Sequence, residues 1–344
     1  DIPPKIQREF APELTIPIRD IYNSSIREGS CPKRWKKTLI TPVPKIPTPI
    51  SLDDIRPIAL TPNPGKTLER IVAEEVWKTV MPQLDPRQYG NVKGSSCLHY
   101  LVEFTDFVAS SADKGLEVVA ITVDLSKAFD LIDHRILVKK LLEFKIHESL
   151  IQWIISFITD RSIATRAKGL ESSELPFYCG VPQGTVLGSL LFIIMINERL
   201  DPSALILKYV DDSTIAFAYK PGETPPIQQT HHQISDRTVT NNMQINPNKC
   251  AVLNFKFNKS PVTIPPLYID GHALSVINSV NLLGVTLSDD LSWALNTKSI
   301  VKRCSAKLYM LSRLKTFQVS RQDLLKIWTS YLRPIAEYCA PLWH

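Results

Sequence analysis

Leu205-Ile206-Leu207-Lys208-Tyr209-Val210-Asp211-Asp212-Ser213-Thr214-Ile215-Ala216-Phe217-Ala218-Tyr219 is the stretch that decides the fold. It reads as strand, tight turn, strand, with two acids at the tip. Successive side chains on a regular strand point to opposite faces, so neighbouring acids serve one site only where the backbone turns. Like charges placed together are unfavourable unless a cation neutralises them. Metal-assisted chemistry is one explanation, and a solvated Asp-Asp turn is the other.

A second acid-tipped strand lies upstream. The apolar run Val118 to Val123 delivers Asp124 at its end, and Asp124-Leu125-Ser126-Lys127-Ala128-Phe129-Asp130 is expected to turn into a helix. On its own Asp124 suits a helix N-cap. Beside Asp211 and Asp212 it completes three carboxylates, a donor set for two hard divalent ions. The glycine-bearing loop Gly180-Val181-Pro182-Gln183-Gly184 opens an apolar helix expected over 185–200. Its glycines permit close approach of a backbone or ligand, and Gln183 both donates and accepts. Gly65-Lys66-Thr67 imitates a phosphate loop, but that pattern needs glycine where Leu60 stands, so this reading is rejected.

The 344 residues suffice for a sizeable core and for two or three subdomains. Apolar residues make up 44% and charged residues 22%, as in ordinary globular proteins. No secretory signal or basic leader opens the chain, and Asp1-Ile2-Pro3-Pro4 reads as the interior of a longer polypeptide. The apolar run Leu190 to Ile196 is far short of the roughly 20 residues a bilayer requires. No Cys-x-x-Cys pair occurs, which argues against a zinc site or disulfide framework and for an intracellular setting, nuclear or cytoplasmic.

The net charge is +6, and it is unevenly spread. Nine basic residues between Lys298 and Arg333 face only Asp323. Such a stripe suits a polyanion, or a solvated helix face. Helical spacing places Ile300, Cys304, Leu308 and Leu311 on one face, with Lys298, Lys302 and Arg313 opposite, where duplex phosphates would lie. Further helices are expected over 16–27, with Ile18, Ile21, Tyr22 and Ile26 inward, and over 66–80, 98–109, 136–144, 150–158 and 295–344. A strand is expected over 38–43. Short strands are expected over 251–287, with turns at Asp270-Gly271 and Leu283-Gly284. A turn at 221–226 precedes a polar helix.

Taken in order, Asp124 with Phe129, the Pro182-Gln183-Gly184 loop and Tyr209-Val210-Asp211-Asp212 resemble a reverse transcriptase palm. The resemblance is to the enzymes of non-LTR (LINE-type) retrotransposons, in the jockey and chicken-repeat-like branch. Trp35-Lys36-Lys37 through Lys45 resembles their first fingers motif, and Asp54 to Leu60 with Lys66 and Glu69 the second. Gln88-Tyr89-Gly90 and Lys93-Gly94-Ser95-Ser96 follow in place. Asn246 to Cys250 resembles the lysine motif, and Leu282 to Trp293 the approach to the thumb. The match spans nearly the whole chain. Departures include Thr185 and Ser189 in the Gly184 run, Asn91 after Tyr89-Gly90, and Val210 where alanine is usual; none removes a carboxylate.

The resemblance implies an α+β right-hand polymerase with fingers (1–115 and 136–178), an antiparallel-sheet palm (116–135 and 179–285) and a partial helical thumb (286–344). It implies RNA-directed DNA polymerase activity with two Mg2+ ions, or Mn2+ in their place. Asp124, Asp211 and Asp212 would hold the metals, with help from the Leu125 carbonyl, and Lys249 would protonate the leaving pyrophosphate. Lys45 and Arg56 would grip the triphosphate. Phe129 would exclude the ribose 2′-hydroxyl, and Gln183 with Gly184 would meet the nucleotide or template. The partners implied are an RNA template, a DNA primer or target, and dNTPs, without a membrane. A group II intron-type maturase and an inactive nucleic-acid-binding relic are the alternatives.

Overall fold

In the computed structural model, residues 3–198, 204–225, 235–236, 238–257, 265–269 and 271–343 are described. Helices α1 (Pro4–Glu9), α2 (Ala11–Arg27) and α3 (Lys33–Lys36) lead into strands β1 (Lys37–Pro44) and β2 (Ile55–Leu60). Helices α4 (Asn63–Val80) and α5 (Cys97–Asp113), strand β3 (Glu117–Val123) and helices α6 (His134–Glu143) and α7 (Glu148–Ile158) follow. Next come β4 (Arg161–Ala167), β5 (Leu170–Glu171), β6 (Leu175–Phe177) and helix α8 (Val186–Ile196). Strands β7 (Leu205–Tyr209), β8 (Asp212–Tyr219), β9 (Ala251–Phe255), β10 (Tyr268–Ile269) and β11 (His272–Ala273) precede β12 (Ser275–Ile277), β13 (Ser279–Leu282) and β14 (Val285–Ser288). Helix α9 (Ala294–Thr316) and shorter helical turns complete the chain.

The chain separates into two compact units. The first comprises 1–86, 125–199 and 236–245. Its sheet runs β2-β1-β4-β5, with β6 on β4 and with β1 and β4 parallel. Helix α8 is buried along most of its length and packs on α4 and α6. It has no polar face to present to water, consistent with a core helix. Thr185 caps it by accepting the Gly188 N–H.

The second unit comprises 87–124, 200–235 and 246–344. Its sheet runs β12-β9-β3-β8-β7. Every strand pair is antiparallel except β12 with β9 at one edge, where the expected antiparallel palm becomes mixed. Strand β3 sits between β9 and β8, and Val118, Val119, Ile121 and Val123 are buried. A strand covered on both faces reads as a continuous apolar run, as Val118–Val123 does. Tyr100, Leu101, Phe104 and Val108 of α5 join the core of this sheet with Leu205, Leu207 and Phe255.

Several sequence expectations shift. Helix α2 begins at Ala11, five residues before the expected start. Pro12 falls in its first turn, where no donor is required, and Pro17 is carried inside. Ile21, expected inward, is exposed, while Ser25 is buried and accepts the Trp153 indole N–H at 2.9 Å. Asp124 does not open a helix. Residues 126–130 form turns with Lys127 at φ 46, and the N-cap of α6 is Asp133, which accepts from the Arg135 and Ile136 amides. The apolar helix is Val186–Ile196, and residues 199–203 lie outside the described residues, as do Pro226, Asp270 and most of the expected polar helix. Among the described residues no helix is long and apolar enough to cross a membrane.

Candidate active site

The acids gather at one end of the β3-β8-β7 ribbon. Val123 pairs with Ser213, so Asp124 stands one step further, level with Asp212. Tyr209 pairs with Asp212, leaving Val210-Asp211 as the two-residue tip. Residues 88 positions apart in the chain thus share one electrostatic site. Partial desolvation pushes the Asp212 carboxyl up to about 6. The Asp211 and Asp124 charges add to this, and Lys249 opposes it. The loop carrying Lys249 is tied to the same strand end: the Asn246 amide donates to the Asp124 carbonyl at 2.8 Å. The Lys249 ammonium stands 3.3 Å from Asp124 Oδ2, a buried oxygen that accepts no hydrogen bond.

Among the described residues no three His, Cys, Asp or Glu side chains are grouped closely enough to hold a metal ion as they stand. The donor chemistry nevertheless fits a hard divalent cation: all-oxygen ligands, mutual repulsion at Asp212 and an unsatisfied oxygen on Asp124. The cation present beside Asp124 is the Lys249 ammonium.

Lys45, Arg56, Leu125, Phe129, Gln183 and Gly184 belong to the first unit, and Lys298, Lys302 and Arg313 to the second. The Gly180–Gly184 loop is anchored on several sides. Gly180 N and Val181 N donate to the Ile132 and Phe129 carbonyls at 2.9 and 2.8 Å. A Cβ on Gly180, at φ 80, would fall 2.7 Å from the Phe129 and Asp130 carbonyl oxygens, so only glycine fits. The Gln183 carbonyl accepts the Ala59 amide at 2.8 Å, and its side-chain amide donates to Asp130 at 3.1 Å. Gly184 adopts φ 90 against Ile58. Phe129 is half-buried and stacks on Phe192 of α8 at 4.6 Å, so one ring face is already spent on the core. Leu125 bridges to Ile245.

Lys45 extends from the end of β1, where its ammonium donates to the Asp53 carbonyl at 2.7 Å. Arg56, opposite Val43 in β2, is exposed. Lys298 and Lys302 are exposed on α9, and Arg313 lies over the Phe317 ring at 5.8 Å.

Two residues without an assigned role in the sequence reading are structurally central. Glu69 of α4 is buried and accepts the Val186 and Leu187 amides at 3.0 and 3.4 Å, seating the start of α8 directly after Gly184. Burial pushes its carboxyl up to about 7, against those two amides, Arg161 and Lys66. Gln88, also buried, accepts the Gly90 and Val210 amides at 3.1 and 3.3 Å. Apart from Gly90, their partners lie more than a hundred residues away, a relation that sequence spacing does not mark.

The family described as reverse transcriptase (RNA-dependent DNA polymerase) matches residues 43–287. The RNA-directed DNA polymerase from mobile element jockey of Drosophila melanogaster is 26% identical over 92% of this chain and 36% of its own length. Its Drosophila funebris counterpart is 28% identical over 91% and 36%, and the probable polymerase from transposon BS of Drosophila melanogaster 26% over 94% and 36%. The chain therefore spans about a third of the length of these relatives. Among solved structures, apo telomerase from Candida tropicalis aligns with TM-score 0.54 at 11% identity, over 82% of this chain and 53% of that one. Telomerase from the same organism with a fragment of telomeric RNA aligns at 0.51 and 11%, over 96% and 57%. The fold is that of a right-hand polymerase, and with most of its length matched the chain belongs to the reverse transcriptase family.

Proposed function

We propose that this chain carries the catalytic part of an RNA-directed DNA polymerase, extending a DNA primer on an RNA template. The observation that carries the reading is the convergence of Asp124, Asp211 and Asp212 at one end of neighbouring strands. Two Mg2+ ions, or Mn2+, held there with the Leu125 carbonyl, would activate the primer 3′-hydroxyl and neutralise charge on the α-phosphate and leaving pyrophosphate. The residues of this chain supply the rest. Lys249, paired with Asp124 before substrate arrives, is a largely exposed ammonium able to give a proton to the pyrophosphate. Lys45 and Arg56 bind the dNTP triphosphate. The half-buried Phe129 ring blocks a 2′-hydroxyl, and Gln183, held by Asp130, meets the base or sugar edge above Gly184. Lys298, Lys302 and Arg313 grip duplex phosphates. In this reading fingers occupy 1–115 and 136–178, palm 116–135 and 179–285, and thumb 286–344.

Purified protein is expected to extend a DNA primer on RNA with Mg2+, favouring deoxy- over ribonucleotides, and Asp211→Asn is expected to abolish extension. Robust synthesis by that variant removes the metal role from Asp211. Salt-sensitive RNA binding by the unaltered protein, without Mg2+-dependent extension, identifies a binding relic instead.

A further inference from the structure

Val210, at the tip between Tyr209 and Asp211, has φ 60. That is the left-handed region, where a β-branched side chain crowds its own backbone. Two-residue hairpin tips with such angles favour glycine, asparagine or aspartate. Strain of this kind persists only where the surroundings over-determine it.

Here the surroundings are the segment Arg87–Gly90. Lys208 N donates to the Arg87 carbonyl at 2.9 Å and Tyr89 N to the Lys208 carbonyl at 2.8 Å, so the segment runs as a short parallel bridge along β7. That bridge delivers the Gln88 side chain, 4% exposed, to the tip. Its Oε1 takes the Val210 amide at 3.3 Å and the Gly90 amide at 3.1 Å. Gly90 closes the other side: a Cβ there would lie 2.5 Å from Val210 N and 2.6 Å from its Cγ2. An uncharged acceptor suits the place, because a glutamate would set a fourth negative charge beside Asp124, Asp211 and Asp212.

We propose that Gln88 is a positioning residue for the acidic site: its amide oxygen locks Val210 in the left-handed turn and so fixes where Asp211 and Asp212 stand when a divalent cation binds. The purpose of the clamp rests on the reading under Proposed function; the clamp itself does not.

The test pairs hydrogen exchange of the metal-free protein over 205–219 with the Mg2+ concentration giving half-maximal primer extension. In the unaltered protein the Val210 amide is expected to exchange slowly for a hairpin tip; free exchange there overturns the proposal without any variant. Gln88→Leu, or Gln88→Met should the first not fold, is expected to speed exchange at the tip about tenfold, with the melting temperature lowered by no more than about a few degrees. The same variant is expected to raise the half-maximal Mg2+ about tenfold while KM for dNTP stays put. Val210→Gly placed on that variant is expected to recover part of the loss, because glycine adopts positive φ without a clamp. Tip exchange and Mg2+ midpoint both within twofold of the unaltered protein overturn the proposal. If the unaltered protein extends no primer, the polymerase reading fails, and the exchange measurement still decides the clamp.

Discussion

Strand β3 begins on one acid, Glu117, and is followed directly by another, Asp124, and its two ends treat them differently. Glu117 is fully buried, and one of its oxygens accepts the Tyr219 hydroxyl at 2.8 Å, with Asn254 3.0 Å from the same hydroxyl. Each acid has one buried oxygen without a hydrogen bond, but Asp124 keeps a quarter of its side chain in water and faces the Lys249 ammonium and two further carboxylates. The first acid is spent on holding the sheet. The second is held in reserve at a cost in repulsion, as expected of a site built for a ligand rather than for stability. The same register that pairs Glu117 with Tyr219 delivers Asp124 to Asp212, so one strand alignment serves both ends.

The sharpest way to break the comparison is to neutralise each end. Asp124→Asn is expected to lower primer extension by about a thousandfold or more, at a melting temperature equal to or above that of the unaltered protein. A large loss of stability would make Asp124 a structural acid. Glu117→Ala is expected to cost about 2–4 kcal/mol in urea unfolding, through a cavity and the loss of the nearer of the two acceptors around the Tyr219 hydroxyl. Its folded fraction is expected to retain extension; selective loss of catalysis would erase the contrast.

Glu69 extends the comparison to the other unit. Its folded pKa of about 7 lies above the usual 4.5. Between those values the folded protein holds a proton that the unfolded chain has released. Its contribution is therefore fully present below about pH 4.5 and is lost as pH rises through about 7, by up to about 3 kcal/mol. Glu69→Gln is expected to flatten that part of the stability–pH curve; an unchanged slope would assign it to another group. The smallest effect concerns nucleic-acid grip away from either end. Lys298→Gln with Lys302→Gln is expected to weaken duplex binding several-fold and reduce its salt slope by about one to two, leaving the melting temperature unchanged. An unaltered slope would return these exposed lysines to plain solvation.

The legible parts were those with local causes. The apolar run of β3, the acid-tipped hairpin, the glycine loop and the periodic helices follow from residue order, and ordered motifs led to the family. Starts and tips were less legible. The early onset of α2 was hidden by Pro12 and Pro17, which a helix tolerates only when its first turn and packing are known. The turns after Asp124 depend on Lys127 adopting a left-handed angle, which lysine does not advertise. Glu69 and Gln88 act on amides over a hundred residues away, a relation that only folding creates.

The central place of β3 carries a consequence for synthesis of the chain. Its neighbours β8 and β9 begin at Asp212 and Ala251, so about ninety residues must leave the ribosome after Val123 before the first partner strand starts. Throughout that interval Val118-Val119-Ala120-Ile121-Thr122-Val123 is an unpaired, uncharged β-forming segment, the kind that seeks edges on other chains. Truncated products ending before Tyr219 are therefore expected to aggregate more readily than products reaching Phe255, which can bury the strand within themselves.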